Sequence, residues 1–137
     1  MYSKFYDINL LTNFSKTNYI KFSLRPGTKN GLTPHVIIDD KTINEVESTK
    51  FLGLYIDKSL SWKNQIDHVC NKVATGIYVL RNLKKYCSIQ VLKMIYFGLI
   101  YSHLSYGIII WVSCSNVLFQ RAFTMQKQSV RKIANLK

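Results

Sequence analysis

An α+β fold, in which a small antiparallel sheet precedes three helices, is predicted by a change of hydrophobic period near Ser61. Before it, short β-favouring runs alternate with the turn-forming groups Arg25-Pro26-Gly27 and Asp39-Asp40-Lys41. After it, apolar side chains recur at three- and four-residue steps, the period of a helix with one buried face. A third observation makes folding itself the expectation. The 137 residues are 47% apolar and 13% aromatic, far from the composition of a disordered chain. A chain of this length can bury roughly two thirds of its unfolded surface.

Taken in order, Tyr19, Ile20, Phe22 and Leu24 form a first strand that ends at Arg25-Pro26-Gly27, and a polar, Gly-containing loop runs on to Pro34. Val36, Ile37 and Ile38 form a second strand. Beyond the Asp39-Asp40-Lys41 turn, Thr42, Ile43 and Val46 resume an extended pattern toward Phe51, Leu52, Leu54, Tyr55 and Ile56. Ser61 is placed to cap a first helix whose inner face is Trp62, Ile66, Val69, Cys70, Val73, Ile77, Leu80 and Leu83. Lys63, Lys72, Arg81, Lys84 and Lys85 read as its opposite, basic face. Ser88 caps a second helix through Val91, Leu92, Ile95 and Leu99. A third begins near Asn116, with Leu118, Ala122, Met125, Val130, Ile133 and Ala134 inside and Arg121, Lys127, Arg131 and Lys132 solvated. The change of period divides the chain into a β region, 1–57, and a helical region, 58–137.

Charge follows the same division. Residues 1–57 hold seven basic and six acidic side chains, whereas 58–137 hold twelve basic ones against Asp67 alone, a net of +11. Such a surface attracts polyanions, because neutralising phosphates releases condensed counterions and steers encounter. Nucleic acid and an anionic membrane are the partners it suits.

Cys70, Cys87 and Cys114 are odd in number and widely spaced, so they read as buried thiols and not as a disulfide framework. His35, His68 and His103 are equally scattered, and His68-x-Cys70 alone does not make a zinc site, so no metal is expected in this chain. The first residues, MYSKFYDINL, carry no apolar core or cleavage site of a secretory signal. An intracellular location is expected, with nucleus and cytoplasm not distinguished. No repeat appears, and no Gly-rich phosphate loop precedes a helix.

One segment is specific enough to carry a resemblance. Lys50-Phe51-Leu52-Gly53, Leu54-Tyr55-Ile56-Asp57, Ser61-Trp62 and Gln65-Ile66 follow one another at the spacing that closes the palm and opens the thumb in reverse transcriptases of non-LTR (LINE-type) retrotransposons. Downstream, Leu99-Ile100, Leu104, Tyr106-Gly107 and Trp111 resemble a second signature of that family, and Gln126-Lys127 with Arg131 and Ile133 a third. Upstream, Asn13 with Lys16-Thr17 is similar to the family's N-x-x-K-T stretch.

The resemblance implies a carboxy-terminal part of an RNA-directed DNA polymerase that holds a primer–template duplex. Phe51, Leu52 and Gly53 would be the primer grip, with Gly53 allowing close approach of the backbone to the primer end. Lys63, Lys72, Arg81, Lys84, Lys85, Arg121, Lys127, Arg131 and Lys132 would face phosphates. Lys16 matches a lysine proposed to donate a proton to departing pyrophosphate. The catalytic carboxylates have no counterpart. Asp39-Asp40 lacks the preceding aromatic and lies on the wrong side of the N-x-x-K-T match, so it reads as a turn. Mg²⁺ and dNTPs would be bound by palm and fingers regions outside this sequence, and the chain alone is expected not to polymerise.

Two other readings compete. Residues 94–112, MIYFGLIYSHLSYGIIIWV, hold no Lys, Arg, Asp or Glu and are long enough for a single membrane pass. Against it stand Ser102, His103 and Ser105, which would lack partners in lipid, and basic residues on both flanks, so no membrane is expected. Alternatively, the chain is a free-standing basic nucleic-acid-binding module with interleaved aromatic residues, which would take single strands as readily as duplex.

Overall fold

A computed structural model of the chain describes residues 13, 16–22, 35–38 and 40–134. The polar loop to Pro34 and the residues Leu24 and Asp39 lie outside the described residues. The fold is α+β: among the described residues five short strands precede a helical region. Compactness divides the chain at a different place from 57/58. Met1–Thr49 with Asp57–Ser59 make one unit, and Lys50–Ile56 with Leu60–Lys137 make the other.

In the first unit, β1 (Asn18–Tyr19), β2 (Val36–Ile38) and β3 (Lys41–Glu45) form a sheet in the order β1-β3-β2. The β2–β3 pair is antiparallel, and Ile38 opposite Lys41 closes a tight hairpin with Asp40 at φ 59°. Asx residues tolerate this left-handed geometry, and Asp40 sits in the turn. β1 joins β3 in parallel, Asn18 beside Asn44, which period alone did not predict. Its strand is two residues long, so Ile20 and Phe22 fall outside it. Ile43 is the buried residue of this sheet.

The second hairpin pairs β4 (Ser48–Phe51) with β5 (Leu54–Asp57) across Leu52-Gly53. Both turn residues have positive φ, 46° and 83°, the geometry whose twist matches the flanking strands. Gly53 therefore occupies the turn and does not lie within a strand as its surroundings suggested.

The helical unit is built on α1 (Lys63–Leu83). Its predicted inner face is confirmed: Ile66, Val69, Cys70, Val73, Ile77 and Leu80 are buried, with Trp62 before them. The cap differs by one residue. Trp62, at φ 61°, is the N-cap without a side-chain bond, while the Ser61 hydroxyl accepts the Lys63 N–H at 3.4 Å.

The second helix is not continuous. α2 (Ile89–Tyr96) passes into a wide turn of π geometry (Phe97–Tyr101), then α3 (Ser102–Ser105) and, after a break at Tyr106-Gly107, α4 (Ile108–Trp111). Its buried series is Leu92, Tyr96, Ile100 and Leu104, while Val91 and Leu99 are exposed. A strict four-residue step drifts around a 3.6-residue helix, and the wide turn absorbs part of that drift. At the same place Gly76 of α1 meets Ile100: a β-carbon on Gly76 would stand 2.5 Å from Ile100 Cγ1.

α5 (Asn116–Ala134) packs along α1. Its buried positions are Ala122 and Ser129, with Leu118, Met125 and Ile133 half-buried. Val130 and Ala134, assigned inward by residue type, are exposed. Ser129 takes the inner position instead because its hydroxyl donates to the Gln126 carbonyl at 2.6 Å.

Among the described residues no helix is long and apolar enough to cross a membrane. The Ser102 and Ser105 hydroxyls, expected to lack partners in lipid, donate to the carbonyls of Gly98 and Tyr101 at 2.6 and 2.9 Å. What interrupts the apolar stretch is Tyr106, in extended conformation, followed by Gly107 at φ 65°.

Candidate nucleic-acid interface

Two of the stretches quoted for the resemblance, the one at Phe51-Leu52-Gly53-Leu54 and the one at Tyr106-Gly107 with Trp111, meet in the helical unit. At the hairpin tip Phe51 and Leu52 are 60% and 74% exposed, an arrangement that leaves two large apolar side chains facing solvent. The tip is fastened from behind. Tyr106 donates its hydroxyl to the Leu52 carbonyl, and its ring lies 3.4 Å from where a β-carbon on Gly53 would be. Gly107 follows in left-handed geometry, where a β-carbon would come within 2.8 Å of the Leu54 side chain. Trp111, almost fully buried, donates its indole N–H to the Tyr106 carbonyl at 3.0 Å. Phe51-Leu52-Gly53-Leu54 and Tyr106-Gly107 with Trp111, about fifty residues apart in sequence, are thus one packed arrangement.

Gln65 provides the second fastening. It is buried, and its Oε1 accepts the Tyr55 N–H at 3.0 Å, so α1 holds the strand that leaves the tip. Sequence reasoning gave Gln65 and Tyr106 no role of their own, because both act through contacts distant in sequence. The turn geometry also revises the reason for Gly53: its φ of +83° requires glycine before any approach of a primer is considered.

The basic residues are distributed otherwise than on one face. Lys63, Lys72 and Arg81 are exposed, but Lys72 lies nine positions from each of the others, about two and a half turns, so it projects from the opposite flank of α1. The outermost strip between them is uncharged: Asn64, Asn71, Thr75 and Asn82. Lys84 and Lys85 lie past the end of α1, in the turn that follows. A single basic face on α1 is therefore replaced by two charged flanks.

On one flank Arg81 lines a shallow pocket with Ala74, Ile77 and Tyr78 of α1 and Met125 and Gln128 of α5. Arg121, expected to be solvated, forms an ion pair with Asp67. That pair joins α5 to α1 and engages the sole acid of residues 58–137, leaving both side chains about half exposed. The hydrogen bond to Asp67 is the main cause that raises the Arg121 pKa, so its charge persists. Lys127 holds its ammonium 4.3 Å from the centroid of the Phe123 ring, a cation–π contact on an exposed surface. Arg131 and Lys132 are exposed in the last turn of α5.

Lys16 is exposed in a turn of the other unit, where its N–H donates to the Asn13 carbonyl at 3.1 Å and the Thr17 hydroxyl to the same oxygen at 2.8 Å. The described part of the N-x-x-K-T match is a local turn. Phe14 and Ser15 lie outside the described residues.

Among the described residues Glu47 pairs with Lys58, Glu45 accepts from the Tyr19 hydroxyl, Asp57 from Ser59 and Asp67 from Arg121. No group of three His, Cys, Asp or Glu side chains is brought together among them. Burial raises the pKa of Cys70 and of Cys114, so both thiols are held protonated at neutral pH.

Compared with protein-family models, curated proteins and solved structures, the chain finds no significant match.

Proposed function

We propose that this chain holds a primer–template duplex as the primer-grip and thumb part of a reverse transcriptase of the non-LTR retrotransposon kind, working with palm and fingers regions that lie outside these 137 residues. The observation that carries the reading is the fastened hairpin tip. Two stretches quoted for the resemblance, Phe51-Leu52-Gly53 and the downstream signature with Tyr106-Gly107 and Trp111, form one contact network that presents Phe51 and Leu52 outward. A tip held by a buried scaffold can position a primer end, because loosely held groups lose alignment on ångström displacements.

The cationic flanks supply the attraction. After Asp67 is neutralised by Arg121, no acid of 58–137 opposes the exposed lysines and arginines. The chain contributes positioning and electrostatics, and no metal-assisted step is assigned to its residues.

The test is the affinity of the purified chain for a short RNA–DNA hybrid, with each single strand as control, over a salt series. Preferential hybrid binding, with affinity falling steeply as salt rises, supports the reading. Equal affinity for single strands favours the free-standing module instead, and no binding by a folded sample overturns both.

A further inference from the structure

A second cationic group lies on the other flank of α1, and of its members the duplex reading uses Lys72 alone. The His68 ring lies 5.1 Å from the centroid of the Tyr55 ring, and the Lys50 ammonium lies 5.4 Å from the same centroid. Lys72 follows His68 by four residues, the spacing that places two side chains next to each other on a helix surface. His103, on α3, is close enough to act electrostatically on His68. The hairpin, α1 and α3 thus bring three cation-forming side chains, Lys50, Lys72 and His103, around the half-buried imidazole of His68.

No carboxylate offsets them. Among the described residues none of the four is in a salt bridge, and Asp67, adjacent to His68 in sequence, is engaged by Arg121 on α5. A cluster of like charges is destabilising by itself and becomes favourable when an anion occupies it. Histidine suits such a place because a bound anion makes its charged form favourable.

We propose that Lys50, His68, Lys72 and His103 form a phosphate-binding site beside Tyr55. Ammonium and imidazolium N–H groups are the donors that phosphate oxygens accept most strongly. As a contact to a nucleic-acid backbone the site rests on the duplex reading; as a site for a phosphate group it does not. Binding is coupled to proton uptake. Burial first, then the charges of Lys50, Lys72 and His103, hold the His68 pKa below its ordinary value, and a bound phosphate reverses the second effect. The Tyr55 ring faces His68. Affinity accordingly rises as pH falls, by up to about tenfold per pH unit for each proton taken up.

The experiment follows the imidazole resonances of the full chain through their titration, alone, with inorganic phosphate, and with a short RNA–DNA hybrid. His68 is expected to titrate at higher pH with either probe, while His35, in the other unit, stays unchanged. Lys50→Gln and Lys72→Gln should each reduce the His68 displacement, with circular dichroism confirming that the variants fold. A His68 displacement with both probes supports a backbone-phosphate contact. Displacement by inorganic phosphate without hybrid binding supports the site and overturns the duplex reading. Hybrid binding that leaves His68 unmoved, with no response to inorganic phosphate, overturns the site and leaves the duplex reading standing. No binding and no displacement overturn both.

Discussion

Gly53 and Tyr106 show how two side chains define the hairpin tip. Gly53→Ala places a β-carbon on a residue at φ +83° and should lower stability by about 1–2 kcal/mol, measured as a shift of the urea midpoint. Tyr106→Phe keeps the ring against the tip but removes the donor to the Leu52 carbonyl, and should lower stability by about 1 kcal/mol. If Tyr106→Phe is neutral in stability and in hybrid affinity, the hydroxyl has no part in holding the tip. His68 gives a pH prediction with a definite sign. Its folded pKa is lowered, first by burial and then by Lys50, Lys72 and His103, so the unfolded chain binds the proton more readily. The associated stability is present above the unfolded value of about 6.5 and is lost as pH falls from there through the folded value. His68→Gln should flatten that acid limb of the stability profile, and an unchanged limb would assign it to other groups.

Helix contacts are decided by where small residues allow close approach. Gly76→Ala would gain helix propensity of about 1 kcal/mol in an isolated peptide. Here the added carbon meets Ile100, which is fully buried and cannot move aside, so overpacking of about 1–3 kcal/mol opposes the gain. The expected outcome is a net loss of stability in urea unfolding, and a stabilised variant would show that the α1 contact with the π turn is looser than its geometry. α1 itself was legible from periodicity because Ile66, Val69, Cys70, Val73, Ile77 and Leu80 keep one stripe over about four turns. The middle segment was less so. Its stripe uses Tyr96 and runs through a π turn, and a wide turn leaves no mark in a pattern read at 3.6 residues per turn. In α5, Ser129 is buried because its hydroxyl is satisfied by its own helix, a circumstance that residue type does not announce.

For the molecule as a whole, charge is the property with the longest reach. Asp67→Asn removes the one acid of residues 58–137 and releases Arg121, so it should strengthen hybrid binding at low salt and steepen the salt dependence. The exposed ion pair contributes no more than about 1 kcal/mol to stability, so the variant should fold with nearly unchanged urea midpoint. Equal affinity in Asp67→Asn and the parent chain would place Arg121 away from the bound polyanion.

Composition and period by themselves determined the α+β class, the inner face of α1, the turn at Asp40 and the electropositive character of residues 58–137, because each depends on neighbours within a few positions. Tertiary structure alone decided that Leu52 and Gly53 turn together against Tyr106, that Trp111 holds the Tyr106 carbonyl, that Arg121 takes Asp67, and that Lys50, His68, Lys72 and His103 converge. Most of those pairings join residues tens of positions apart, and the energies of all of them depend on distance and burial, which exist only once the helices have packed.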